Sequence, residues 1–220
     1  MKPVGILGGM GPEATILLMQ RLLRVVPARD DADHIPLIVH QNPAVPSRIA
    51  RLIDGQGEDP GPVLAAMARD LEAAGAKALA MPCNTAHAFV PQIIAASSLP
   101  FLDMRTATVA MLPPGRVGML ASPAVRLTGV FDEAMKSAGT EPVWPQDDGP
   151  VLALIRRIKA GDTGPGAMAE MARLAEQMAD QSDHLLIACT ELSLLTGSVA
   201  APFTDSLDCL VSAIVRFSQG

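Results

Sequence analysis

The chain predicts an α/β protein in which a parallel sheet is wound with helices on both faces, and three observations carry that expectation. Short apolar runs alternate with longer segments whose apolar residues recur at spacings of three and four, the signature of buried parallel strands joined by amphipathic helices. Two of the runs end alike, in Ala80-Met81-Pro82-Cys83-Asn84-Thr85 and in Ile187-Ala188-Cys189-Thr190-Glu191, about a hundred residues apart, a separation that fits two similar halves. Finally, 220 residues at 49% hydrophobic and 18% charged supply enough apolar surface for one large core or two smaller ones.

Taken in chain order, strands are predicted at Val4–Leu7, Pro36–His40, Ala78–Met81, Pro100–Leu102, Arg116–Ala121, Glu141–Val143 and Leu185–Ala188, with a short one near Ala201–Phe203. Helices are predicted at Glu13–Val26, Gly61–Ala74, Ala86–Ala96, Val125–Ala138 and Ala167–Ala179, where Leu, Ile, Met and Ala form one stripe. Pro12 suits a first helical position, and Gly75 and Gly139 follow helical patterns where a left-handed C-terminal residue is needed. The 12 methionines fall mostly on these apolar stripes and read as core filler. No low-complexity linker interrupts the pattern, so the division is placed by the cysteine recurrence: residues 1–103 with 205–220, and residues 104–204.

Charge narrows the partners. A net charge of -6 argues against a general nucleic-acid role, because phosphate affinity needs clustered Lys and Arg. No run of about 18 uninterrupted apolar residues is present, so no membrane span is expected. Three cysteines, none in a C-x-x-C pattern, make neither a disulfide framework nor a zinc site, and a reduced cytoplasm is the expected setting.

Chemistry is expected at the two strand-end cysteines, because functional groups in open α/β sheets collect at the carboxyl ends of strands. Each precedes a Thr-containing first turn, where free backbone N–H groups of a helix start would favour a thiolate. Cys209 lies instead on the apolar stripe of a terminal helix and reads as packing. The loop Gly8-Gly9-Met10-Gly11-Pro12 satisfies a permissive dinucleotide pattern, but no acidic residue ends the second strand, where His40-Gln41-Asn42 stand. The glycines are therefore read as a tight loop that lets backbone approach a small ligand. Arg48, after Asn42-Pro43, has an ordinary solvated charge open to it, but a planar guanidinium near the sheet's active edge is the side chain best suited to gripping a carboxylate through paired hydrogen bonds. Lys159 ends a helix, where the dipole alone favours a cation. His87 and Glu191 are the titratable groups nearest the two thiols in sequence, and each has both a tuning role and a purely structural role open to it.

In this order, GILGGMGPEAT, QNP with Pro46-Ser47-Arg48, MPCNTAH, RRIKAG and ACTEL resemble the aspartate/glutamate racemase family, over residues 5–191. The resemblance implies two pseudo-symmetric Rossmann-like domains with the active site in the cleft between them. It also implies an acidic amino acid as substrate, no pyridoxal phosphate, no metal, and a homodimer. By position, Cys83 and Cys189 match the family's catalytic thiols. Asn84, Thr85 and Thr190 match residues around the substrate's α-carboxylate, and Met10, Arg48 and Lys159 match the side-chain end of the pocket. Gly9, Asn42, His87 and Glu191 are expected just behind them. The chain departs from the family at Ser122-Pro123-Ala124-Val125, where a Thr- and Gly-rich loop is usual: Ser122 replaces one hydroxyl, and Pro123 removes a donor. Relatives of the same superfamily, such as hydantoin racemases, maleate isomerases and malonate decarboxylase-like enzymes, are the rival readings, along with a non-catalytic amino-acid-binding protein. The presence of both cysteines weighs against the last of these.

Overall fold

The computed structural model describes all 220 residues and contains two four-stranded parallel sheets. The first is built from β1 (Val4–Gly8), β2 (Leu37–Gln41), β3 (Ala78–Ala80) and β4 (Phe101–Leu102), in the order β2-β1-β3-β4. The second is built from β5 (Gly115–Ala121), β6 (Thr140–Val143), β7 (His184–Ala188) and β8 (Phe203–Asp205), in the order β6-β5-β7-β8. The order is the same once four is added to each strand number, so the two halves repeat one topology. In each half the chain leaves the first strand for a neighbour on one side and then crosses to the other side. The crevice beyond the carboxyl ends of β1 and β3, and likewise of β5 and β7, is where such a reversal exposes backbone groups to a ligand.

Alternation along each strand sends side chains to two cores. Val4 and Ile6 face α1 (Pro12–Val25) and α10 (Ser206–Gln219), packing with Leu18, Leu22, Leu207, Leu210 and Ile214. Leu7 and Leu79 face the other way, against Leu64, Met67 and Leu71 of α3 (Gly61–Ala73) and Ile93 of α4 (Val90–Ala96). In the second half, Leu120, Leu185 and Ile187 pack on α8 (Gly149–Lys159) and α9 (Pro165–Ala179), whose buried residues recur at helical spacing. Val117, Met119 and Leu186 cover Val125, Phe131 and Met135 on the opposite face. Each fully buried Leu or Ile in these layers contributes on the order of 1.5–3 kcal/mol relative to exposure.

Two predicted helices differ from what forms. The segment predicted as one helix over Val125–Ala138 is two, α6 (Pro123–Thr128) and α7 (Asp132–Ser137), because Gly129 adopts φ 60° and ends α6 in the left-handed region. The segment after Cys83 starts with a tight 3-10 turn over Thr85–Phe89 before α4, and the segment after Cys189 is a 3-10 stretch over Leu192–Ser198. Both cysteines thus precede 3-10 turns rather than α-helices. Two short helices, α2 (Arg48–Leu52) and α5 (Met104–Val109), complete the chain, and no helix is long and apolar enough to cross a membrane.

Candidate active site

A cavity of about 490 Å³ opens between the carboxyl ends of the two sheets, lined from the first half by Gly9, Met10, Gly11, Arg48 and Thr85, and from the second by Ser122, Lys159, Cys189 and Glu191. Its floor is the glycine loop after β1. Gly9 has φ 94°, and a Cβ there would fall 2.5 Å from the Asn42 backbone carbon, so only glycine lets the two loops touch. Thr15 of α1 holds the loop from behind, its hydroxyl accepting from the Gly9 N–H at 3.0 Å.

Arg48 is the first residue of α2, whose N-terminus Ser47 caps by accepting from the Ala50 N–H at 3.2 Å. Its Nη1 donates to the carbonyls of Val45 at 3.2 Å and Pro46 at 2.9 Å, which orients the guanidinium, and its buried Nε has no partner.

Lys159 is the last residue of α8, yet its ammonium turns into the cavity and pairs with Glu191. Burial opposes its charge, but Glu191 and, after it, the thiols of Cys83 and Cys189 outweigh that and raise its pKa. Lys159 is therefore within electrostatic reach of both cysteines. The second Glu191 oxygen accepts from Cys189 Sγ at 3.1 Å. Burial, then the Glu191 carboxylate, push the Cys189 thiol well above its ordinary range, against the opposing pull of Lys159. The expectation that a helix start would favour a thiolate here is thus reversed, first because Cys189 is buried and then because the Glu191 carboxylate stands beside it.

Cys83 is buried, with its Sγ 3.4 Å from the Thr85 hydroxyl, and lies outside the cavity lining while Thr85 lies within it. The Thr190 hydroxyl donates to the Pro82 carbonyl at 3.1 Å, tying the two cysteine loops together across the cleft. Asn84 is turned from the cavity: its amide donates to Ser206 at 2.9 Å, and its Oδ1 is buried without a partner. His87 Nδ1 meets the Cys83 carbonyl at 2.8 Å, and burial lowers its pKa to about 4, so it backs Cys83 as a neutral ring. The Asn42 side chain accepts from the Ala44 N–H at 3.0 Å within its own turn, and Ser122 lines the cavity while capping α6 through the Ala124 N–H. Among the residues that line the cavity, Glu13 and Ile155 escaped the sequence reading. Glu13 had left a signal, an acid in the first turn of α1, but that placement also suits the helix dipole. No three His, Cys, Asp or Glu side chains converge as a metal site would require.

Two thiols after the third strands of two like-wound parallel sheets, with a lysine in electrostatic reach of both and a polar cleft beside them, define an α/β protein of two repeated halves. The chain belongs to the Asp/Glu/Hydantoin racemase family, which it matches over residues 7–214. It is similar to the broad specificity amino-acid racemase RacX of Bacillus subtilis, 27% identical over 96% of each chain. It is also 27% identical to a glutamate racemase of Deinococcus radiodurans, over 93% of this chain and 68% of that one. The structure of Picrophilus torridus aspartate racemase superposes with a TM-score of 0.91 at 27% identity, covering all of this chain and 95% of the other.

Proposed function

We propose that the protein interconverts the L and D forms of an acidic amino acid, aspartate or glutamate, without a cofactor, using Cys83 and Cys189 as the two bases. The observation that carries this reading is the equivalence of the cysteines: each follows the third strand of its sheet, and Thr190 ties their loops together. Racemisation takes a proton from one face of Cα and returns one to the other. One thiolate accepts the α-proton, forming S–H, and the C–H electron pair stays on Cα, delocalised into the α-carboxylate. The opposite thiol then gives up its proton to that pair, forming the new C–H bond and leaving a thiolate. Preorganised charge stabilises the intermediate, and here Lys159 and the Arg48 guanidinium are the cations at hand.

A broader substrate range has a specific observation behind it. Lys159 is neutralised by Glu191, so Arg48 is left as the cavity cation with an unpartnered buried donor, a charge pattern suited to a single carboxylate. The likeness to RacX agrees with that range. Chiral chromatography on a panel of L- and D-amino acids separates the readings, acidic substrates against neutral ones. Activity should survive a chelator and hydroxylamine, and Cys83→Ala and Cys189→Ala should each abolish it while Cys209→Ala retains it. Rescue of an inactive preparation by pyridoxal phosphate or a divalent metal would refute the proposal.

A further inference from the structure

We propose that Glu191 is a positioning residue that keeps Cys189 as the protonated member of the thiol pair, with Lys159 holding the Glu191 carboxylate in place. The proposal deepens the racemase reading above and rests on it for its meaning in turnover. The geometry is a chain of three groups. Lys159 reaches one oxygen of Glu191, and the other accepts from Cys189 Sγ at 3.1 Å. Both ends of the carboxylate are engaged, so it is fixed in position. Glu191 is itself buried, at 6% exposure, and bulk water cannot screen it.

The charged groups around Cys189 are few. Glu191 and Lys159 act on it directly, and Glu13 converges on the same corner, since a Cβ on Gly11 would lie 3.1 Å from Glu13 Oε2, 3.7 Å from Glu191 Oε1 and 3.9 Å from Lys159 Nζ. A thiol hydrogen bonded to a carboxylate retains its proton, because ionisation would set two anions side by side. Burial is the larger cause acting in the same direction, and the carboxylate adds to it. Cys83 has no carboxylate partner, and its Sγ meets the Thr85 hydroxyl instead. The resting pair is thus asymmetric: Cys189 has the carboxylate partner that holds its proton, and Cys83 has none.

Lys159 has a second part in this arrangement. When the Cys189 S–H bond breaks and its proton joins Cα, the new thiolate stands beside the Glu191 carboxylate. The Lys159 ammonium is the charge that makes this state attainable, and the same thiolate serves as base in the reverse direction.

Thiol alkylation tests the proposal independently of racemisation, since iodoacetamide reacts with thiolates and Cys189 lines the cavity. Peptide mass spectrometry would follow carbamidomethylation of each cysteine across a neutral-to-alkaline pH series. In Glu191→Gln the alkylation midpoint of Cys189 should fall by at least about one pH unit, a tenfold gain in rate at neutral pH, with Cys209 unchanged as the internal standard. Lys159→Met should move the Cys189 midpoint the other way. If Glu191→Gln does not fold, Glu191→Asp, which withdraws the carboxylate by one methylene, should give the same downward shift to a smaller extent. An unaltered Cys189 midpoint in the folded Glu191 variant overturns the proposal. Racemase activity is read in a separate assay on the wild type, so its absence would count against the function while leaving the alkylation result to judge Glu191.

Discussion

At the scale of single residues, the cleft depends on charges whose partners are counted on one hand. Arg48 spends its Nη1 on two backbone carbonyls and keeps a buried Nε unpartnered, and the role proposed for its guanidinium is to hold a substrate carboxylate. Arg48→Met is expected to raise the Michaelis constant for an acidic substrate at least about tenfold, or ~1.4 kcal/mol. Steady-state kinetics on aspartate, glutamate, asparagine and alanine would check it, and an unchanged constant for every substrate would remove Arg48 from the site. His87 supplies a prediction in pH. Its folded pKa of about 4 lies below the 6.5 of a free imidazole, chiefly through burial, so the unfolded chain binds more protons between those values. Stability from this residue is complete above pH 6.5 and falls as pH drops toward 4, by on the order of 3 kcal/mol in total. Urea unfolding across that range should show the loss, and the His87 ring should remain neutral by NMR at pH values where an exposed histidine has already titrated.

At the scale of elements, one tight contact joins two loops of the cleft. The glycine loop after β1 meets the Asn42 turn after β2 so closely that a methyl group on Gly9 would strike three Asn42 backbone atoms at 2.5 to 2.6 Å. Gly9→Ala also forces a side chain into a left-handed backbone. It should cost at least about 1–3 kcal/mol of stability and most of the activity, because the loop carries Met10 into the cavity. Thermal unfolding and a racemisation assay on the same preparation would show both losses. Retained activity at full stability would mean that the loop floor is not needed. Gly129 shows the complementary case. It broke a helix that the apolar spacing had continued from Val125 through Met135, because a residue at φ 60° ends α6 whatever the stripe beyond it.

At the scale of the whole molecule, one buried ion pair ties α1 of the first sheet's layers to the end of β8 in the second sheet. Arg21 of α1 donates to Asp205, at the end of β8, at 2.6 Å and to the Ser193 carbonyl at 2.8 Å. Asp205 also accepts from Ser193 Oγ and from the Leu207 N–H, which caps α10. Arg21→Met would leave a fully buried carboxylate without its cation, a loss of about 3–5 kcal/mol. Burial already raises the Asp205 pKa against the pull of Arg21. A raised carboxyl destabilises the fold as pH rises through its folded value, so the variant's deficit should be largest at neutral pH and shrink in mild acid. Chemical denaturation at both pH values would measure this, and a deficit independent of pH would mean that Asp205 is not the group left unpaired.

The alternation of strands and helices and the recurrence of a cysteine at two strand ends could be read from the unfolded chain, as could the packing of Cys209, which is buried in α10. These are local properties: a strand's apolar run, a helix's spacing of three and four, and a thiol placed after a strand are each written within a dozen residues. The local setting of Arg48 was also legible, since the carbonyls that orient it belong to Val45 and Pro46. Lys159 and Glu191 were not legible as a pair, because each had a sufficient local explanation in a helix dipole and only the packing of α8 against the loop after β7 brings them together across 32 positions. The same packing buries Glu191 beside Cys189 and so raises a thiol that a helix start alone would have lowered. Desolvation and a carboxylate 3.1 Å away outweigh the partial charges of a helix end, and that environment exists only once the second half has folded and α8 has packed against the loop after β7.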